Sequence, residues 1–250
     1  MMKKIFFLFL LISNICWSQS SDELFTNANN LYKEGKYQEA IDIYTKIEAE
    51  NEVSSELYYN LGNSYYKLNQ VAPTIYNYEK ALKLNPLNQD AQNNLIFAKR
   101  LTLDRIEELP KSLLHKFNEN YLQKLTYNEW AIVSVVFSVI ASLLFLLFYF
   151  AELPKKKRLY FILSMLSFLF LITTVAITYN QYSKDKNTVE AIIFTEEIEV
   201  KNAPTNNSNE VFTLHEGTKV YVLDSVDNWT KIKLADGKIG WIIKDNLKII

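Results

Sequence analysis

The sequence predicts a multidomain membrane protein in three parts: an α-helical array, a two-helix transmembrane hairpin and a C-terminal all-β barrel. Three observations predict it. Residues 131–151 and 159–179 are two runs of 21 residues without a charged side chain. At about 1.5 Å rise per residue, each run covers a hydrocarbon core of roughly 30 Å. Ahead of these runs, apolar positions recur with a period of 34 residues, the mark of stacked repeats. Behind them the texture changes to short β-branched runs between Gly, Asn and Asp turns. A chain of 250 residues allows about two small domains. That is too little protein to bury two helices apolar on every face, so the runs read as spans rather than core.

The chain opens with MMKKIFFLFLLISNICWSQS: two cations, Lys3 and Lys4, then an apolar stretch from Ile5 to Ile12 and small polar residues. The stretch is too short to cross a bilayer and reads as a secretory signal peptide over residues 1–18. Cys16 and Ser18 fill the two small-residue positions before a cut after Ser18. A lipid-modified Cys16 is the rival reading, which the bulky Ile15 fits poorly. Cleavage removes the one cysteine, and with it disulfide, thiol catalysis and thiolate metal ligands.

Residues 21–108 carry the helical repeats. In SELYYNLGNSYYKLNQVAPTIYNYEKALKLNPLN, Ser55 to Asn88, Leu61 and Tyr65 share one face of a first helix. Gly62 admits a second helix at close range, and Pro86 stops that helix. With Tyr58, Leu61-Gly62, Tyr65, Tyr78, Ala81 and Pro86 in register, this stretch resembles a tetratricopeptide repeat; Thr74 stands where Ala is usual. A second copy over residues 21–52 matches at Leu24, Ala28, Leu31, Gly35, Tyr37, Ala40, Tyr44 and Ile47, with Asn27 and Glu52 out of pattern. From Gln89, one further helix with Ala91, Leu95, Ala98 and Leu101 or Thr102 inward reads as a cap over the last apolar face.

The resemblance implies an α-helical tetratricopeptide solenoid that binds a partner on the concave face of its first helices. That face would carry Phe25, Asn29, Tyr32, Tyr59, Asn63 and Tyr66. Asn bonds a peptide backbone in both senses, and Tyr offers apolar area with a polar tip. The alternative is that these tyrosines pack between neighbouring repeats.

Residues 109–129 form an amphipathic juxtamembrane segment, with Leu113, Leu114, Phe117, Tyr121, Leu122 and Leu125 at helical spacing before the interfacial Trp130. It either lies among headgroups or packs on the cap helix. Between the spans, residues 152–158 form a turn with four consecutive cations, Lys155, Lys156, Lys157 and Arg158. Short basic loops stay cytoplasmic, so this cluster is a topology anchor beside anionic headgroups. The signal peptide exports the residues after it, so both flanking regions lie outside. The two lines of reasoning agree on a two-pass hairpin with its turn inside and both flanking regions outside.

A polar linker, NQYSKDKNT at 180–188, leads into strand-like runs over 189–250, with Asp236-Gly237 as a hairpin turn. HEGTKV, the Trp229 strand, DGKIGW and the closing DNL resemble a bacterial SH3 domain. The resemblance implies an SH3-like barrel in which Trp229 and Trp241 lie in the core or line a groove. Asn202 and Ala203 stand where relatives often carry Arg and Ser or Gly, so no particular cell-wall ligand carries over. His215, beside Glu216 before a Gly turn, reads as a turn or surface residue rather than a metal ligand.

Signal, repeats, hairpin and SH3 together resemble the BatE-type members of the Bacteroides aerotolerance (Bat) operon family. That resemblance implies a two-pass protein of the bacterial inner membrane with N- and C-terminal domains in the periplasm, working beside other membrane proteins, including Bat-family subunits with von Willebrand A-type domains, in envelope stress tolerance. No enzyme and no cofactor are expected. The chain holds no GxxxxGK[ST] loop, no HExxH, and only two His, both isolated. A net charge of −1 without a basic aromatic surface argues against nucleic acid. The expected function is a membrane-anchored scaffold that brings partners together at high effective concentration. The alternative is an envelope sensor coupling a peptide or peptidoglycan at the SH3 domain to the repeats. A channel component is weaker, because uncharged spans offer little pathway.

Overall fold

The computed structural model describes residues 21–250; the expected signal peptide and Cys16 lie outside them. The chain divides into two compact units. One runs to Leu109 and resumes at Glu190–Ile250; the other is Pro110–Val189.

The first unit begins with five helices: α1 over 21–33, α2 Tyr37–Ala49, α3 Ser55–Lys67, α4 Val71–Leu84 and α5 Gln89–Lys99. Short polar side chains start two of them. The Ser54 hydroxyl accepts the Leu57 N–H, and the Asn88 carbonyl accepts the Ala91 N–H, each at 3.0 Å. The turns between paired helices need left-handed residues, which Gly35 and Asn69 supply at φ 80° and 57°, 34 residues apart. Small residues let the helices close up: Ala28, Ala40, Ala81 and Ala91 are fully buried around Tyr44, Leu57 and Leu61.

Seven strands come after the long helices: β1 Val189–Ile193, β2 Glu197–Lys201, β3 Glu210–His215, β4 Lys219–Val226, β5 Trp229–Lys233, β6 Ile239–Ile243 and β7 Leu247–Ile249. They form one sheet in the order β3-β2-β6-β5-β4-β1-β7. Alternation sets the register, with Trp229 opposite Ile243, Lys231 opposite Trp241 and Ile232 opposite Gly240. The inward set, including Ile193, Val200, Val220, Ile232 and Ile242, is fully buried.

Helices and sheet share a third core. Ala72, Ile75 and Tyr78 of α4, with Leu95 and Ala98 of α5, enclose Ile192 of β1. The chain past α5 also differs from expectation. Helix α5 stops at Lys99, leaving Leu101 exposed, and the next residues run against the sheet. Ile106 packs on the sheet's core, and the Leu109 N–H bonds the Ala235 carbonyl at 3.3 Å.

The second unit holds α6 Leu113–Tyr121, a short 3-10 turn Leu122–Lys124, α7 Tyr127–Phe150 and α8 Pro154–Asn187. Both α7 and α8 are long and apolar enough to cross a membrane. A reciprocal cap between Thr126 and Glu129 starts α7. The two helices meet through small residues, as helices in lipid do: Ser164 Oγ donates to the Ala141 carbonyl and Ser167 Oγ to the Phe137 carbonyl, both at 3.1 Å. Two boundaries shift from expectation. Pro154, whose missing N–H costs nothing at a first helical position, starts α8 early, so Lys155–Arg158 lie in its opening turns and not in a loop. The supposed linker at 180–188 is helical as far as Asn187; it contains neither Gly nor Pro to stop the helix.

Candidate partner-binding site

The 34-residue period is written in hydrogen bonds as well as in apolar positions. Asn29 Oδ1 accepts the Tyr44 hydroxyl at 2.6 Å and Asn60 Nδ2 at 2.9 Å. One repeat on, Asn63 Oδ1 accepts the Tyr78 hydroxyl at 2.7 Å and Asn94 Nδ2 at 2.8 Å. The ring pairs repeat too, Phe25 with Tyr44 and Tyr59 with Tyr78, at centroid distances of 5.9 and 6.1 Å. Each Asn carbonyl therefore ties a second helix and the next first helix to its own. Burial pushes the Tyr44 phenol up to about 12, and burial raises Tyr78 as well; both remain neutral donors.

Above this ladder lies a pocket of about 230 Å³, lined by Tyr32, Tyr59, Asn63, Tyr66, Lys67, Tyr78, Asn94 and Phe97. Four of the six sequence candidates meet there: Tyr32, Tyr59, Asn63 and Tyr66. The other two do not. Phe25 packs on Tyr44, and Asn29, though bonded as Asn63 is, does not border the pocket. Lys67, Tyr78, Asn94 and Phe97 were missed, although the ladder's own spacing points to two of them: Tyr78 repeats Tyr44, and Asn94 repeats Asn60. Among the described residues no carboxylate lines the pocket, while Lys67 does, and the Arg100 guanidinium sits 5.2 Å from the Phe97 ring centroid. Aromatic walls, amides and cations without a lining carboxylate suit an extended segment with an apolar side chain and an acidic group.

On the sheet, Trp229 and Trp241 are half-buried and stand outside the buried core set, on the face opposite Ile232 and Ile242. Lys231 Nζ lies 5.7 Å from the Trp241 ring centroid, so this face is aromatic and cationic together. The cations Lys155–Arg158 are all exposed, with Lys157 5.4 Å from the Phe148 ring centroid.

His215 is more than a turn residue. Asp104 accepts its backbone N–H at 2.7 Å and the Thr218 hydroxyl at 2.6 Å, and lies 2.8 Å from its ring Nδ1. The bond to Asp104 raises the imidazole above its ordinary value. Burial would raise Asp104, but the Thr218 and His215 donors outweigh it and hold the carboxyl low. Nearby, Lys219 of β4 lies 2.9 Å from Glu79 of α4 and 2.7 Å from Glu190, and Lys99 of α5 lies 2.8 Å from Glu79. Burial opposes the charge on Glu79, yet Lys219 and Lys99 keep its carboxyl below the ordinary range. A four-charge chain thus fastens helices to sheet.

Comparison with known proteins agrees with this division. Residues 55–88 match the tetratricopeptide repeat model, and residues 197–248 match the bacterial SH3 domain model. No curated protein matches the chain. Domains of these two kinds point to interaction with proteins or peptidoglycan.

Proposed function

We propose that this chain is a membrane-anchored scaffold whose tetratricopeptide solenoid and SH3-like domain act as one recognition body at a single membrane face. The observation that carries the reading is the shared core and ion chain joining α4 and α5 to β1 and β4 across the hairpin's sequence. Two halves packed on each other lie on one side of a bilayer, which two crossings permit and one does not. With the basic cluster at the turn, the preferred placement is a two-pass inner-membrane protein with both modules periplasmic. The pocket at Tyr66 and Phe97 takes a partner segment, and the Trp229–Trp241 face takes a peptide or peptidoglycan. No step of this requires an enzyme or a cofactor. In the Bat-type setting the partners are other membrane proteins, von Willebrand A-type subunits among them, and the service is envelope stress tolerance.

A photocrosslinking residue at Tyr66, in cells, tests this. Adducts with an envelope protein that disappear on Phe97→Ala are expected. Adducts unchanged by Phe97→Ala, or none, would count against pocket capture. The sensor reading is favoured by one observation, the Glu79–Lys219 link, which gives the two faces a common element. It requires that a ligand on the SH3 face change affinity at the pocket.

A further inference from the structure

Helix α6 presents an apolar face that none of the described residues covers. Leu113 and Leu114 are 85% and 83% exposed, Phe117 54% and Tyr121 63%. At 100° per residue these four fall within about 100° of the helix circumference. The opposite side carries His115 and Glu119, with Lys116 and Asn118 on the flanks and Glu119 bonded to Lys111 at 2.8 Å. A helix packed on protein would bury these leucines; free water would be costly for them.

The position of α6 relative to α7 and α8 is fixed at one atom. The Leu122 carbonyl, at the end of α6, accepts Trp130 Nε1 at 2.9 Å and Gln181 Nε2 at 2.6 Å. One donor comes from α7 and the other from α8. Around that point sit Tyr127 and Tyr182, ring to ring at 5.6 Å, and the exposed Tyr179. Trp and Tyr gathered at the end of two apolar helices mark the level of the lipid headgroups.

We infer that α6 is an interfacial helix, its Leu113–Leu114–Phe117–Tyr121 face sunk in the bilayer that α7 and α8 cross. The occupant of that face is lipid. The aromatic residues at the Leu122 knot set its depth, and Lys116 and Lys124 face anionic headgroups. This rests on the two-pass reading above. The hairpin would then be held in rotation as well as in depth, because α6 is a lateral arm that cannot leave the interface without exposing its leucines.

The test uses the full chain in a Cys16→Ser background, in nanodiscs of mixed neutral and anionic lipid. Single cysteines replace Leu114, Phe117, His115 and Lys116, with Leu166 of α8 as the membrane reference, and each carries a nitroxide. Collision with oxygen, which concentrates in lipid, is compared with collision with a water-soluble nickel chelate. The oxygen-to-nickel ratio should be several-fold higher at 114 and 117 than at 115 and 116. Equal ratios at all four, with Leu166 rich in oxygen, would overturn the interfacial helix and leave the two-pass reading standing. So would a spectrum immobilised at 117 and reached by neither reagent, which marks burial against protein. A nickel-rich Leu166 would overturn the two-pass reading itself.

Discussion

Asn63→Ala tests whether the hydrogen-bond ladder holds the helices or merely decorates them. The carbonyl removed accepts from two groups, the Tyr78 hydroxyl at 2.7 Å and Asn94 Nδ2 at 2.8 Å. Tyr78 is only 1% exposed, so its hydroxyl is stranded, at about 1–3 kcal/mol. Asn94 borders the pocket and can turn to water, so its share is about the 1 kcal/mol of an ordinary net bond. The sum is about 2–4 kcal/mol, or roughly a 30- to 900-fold rise in opening. Tyr78→Phe keeps the ring against Gly62 and removes the donor, costing about 1 kcal/mol. The double variant then strands nothing buried and should be milder than Asn63→Ala alone. Amide hydrogen exchange across α3 to α5 in the full chain reads these openings directly. The reasoning fails if Asn63→Ala exchanges at the wild-type rate, or if the double variant shows the full sum of the two singles.

Three further predictions concern close packing and charge. Gly62→Ala places a Cβ 2.6 Å from the buried Tyr78 ring and should cost about 1–3 kcal/mol, seen as faster exchange in α3 and α4; an unchanged rate would mean the ring can yield. Because Glu79 is held below the ordinary carboxylate range, its stabilisation is present above that range and is lost as pH falls through its lowered value. Glu79→Gln should therefore flatten the acid limb of unfolding followed by Trp fluorescence, and superposable limbs would refute the role of the ion chain. His215 is raised by Asp104, so its contribution is complete below the ordinary imidazole value and fades as pH climbs through the raised one. Asp104→Asn should move the His215 NMR titration midpoint down toward about 6.5, and an unmoved midpoint would show that Asp104 is not its partner.

Legibility in the sequence depended on the range of the interaction. The helices declared themselves because Leu61, Tyr65, Tyr78 and Ala81 act within one repeat, where a fixed spacing has a fixed meaning. The strands did so because alternation sorts Ile232 from Lys231 without knowledge of the rest of the chain. Four of the pocket residues were legible for the same reason. Phe97 was not, since it stands past the last complete repeat, in a helix read only for its cap. Asp104 and Ile106 were invisible: the partners of Asp104 stand 111 and 114 residues ahead, and no local pattern records such a distance. The end of α8 misled for a different reason. Its residues from Asn180 to Asn187 are polar like a linker, but polarity without a breaker does not end a helix whose last turns are tied to Leu122 through Gln181.

The long-range contacts also constrain the order of assembly. The first unit is built from two stretches of chain, and everything between Pro110 and Val189 must be made before β1 and β4 can reach α4. Until then Ile75, Leu95 and Ala98 lack Ile192, and Glu79 has Lys99 but not Lys219. The helical half thus carries an unfinished apolar face through the synthesis of both apolar helices. If those helices enter a bilayer, only an even number of crossings brings the sheet back to that face. Deleting α8 alone would strand the two halves on opposite sides, each with its part of the shared core in water. Loss of protection in α4 and α5 on that deletion, and its return when a second apolar helix of unrelated sequence is supplied, would show that α8 serves the fold through its crossing rather than through its particular side chains.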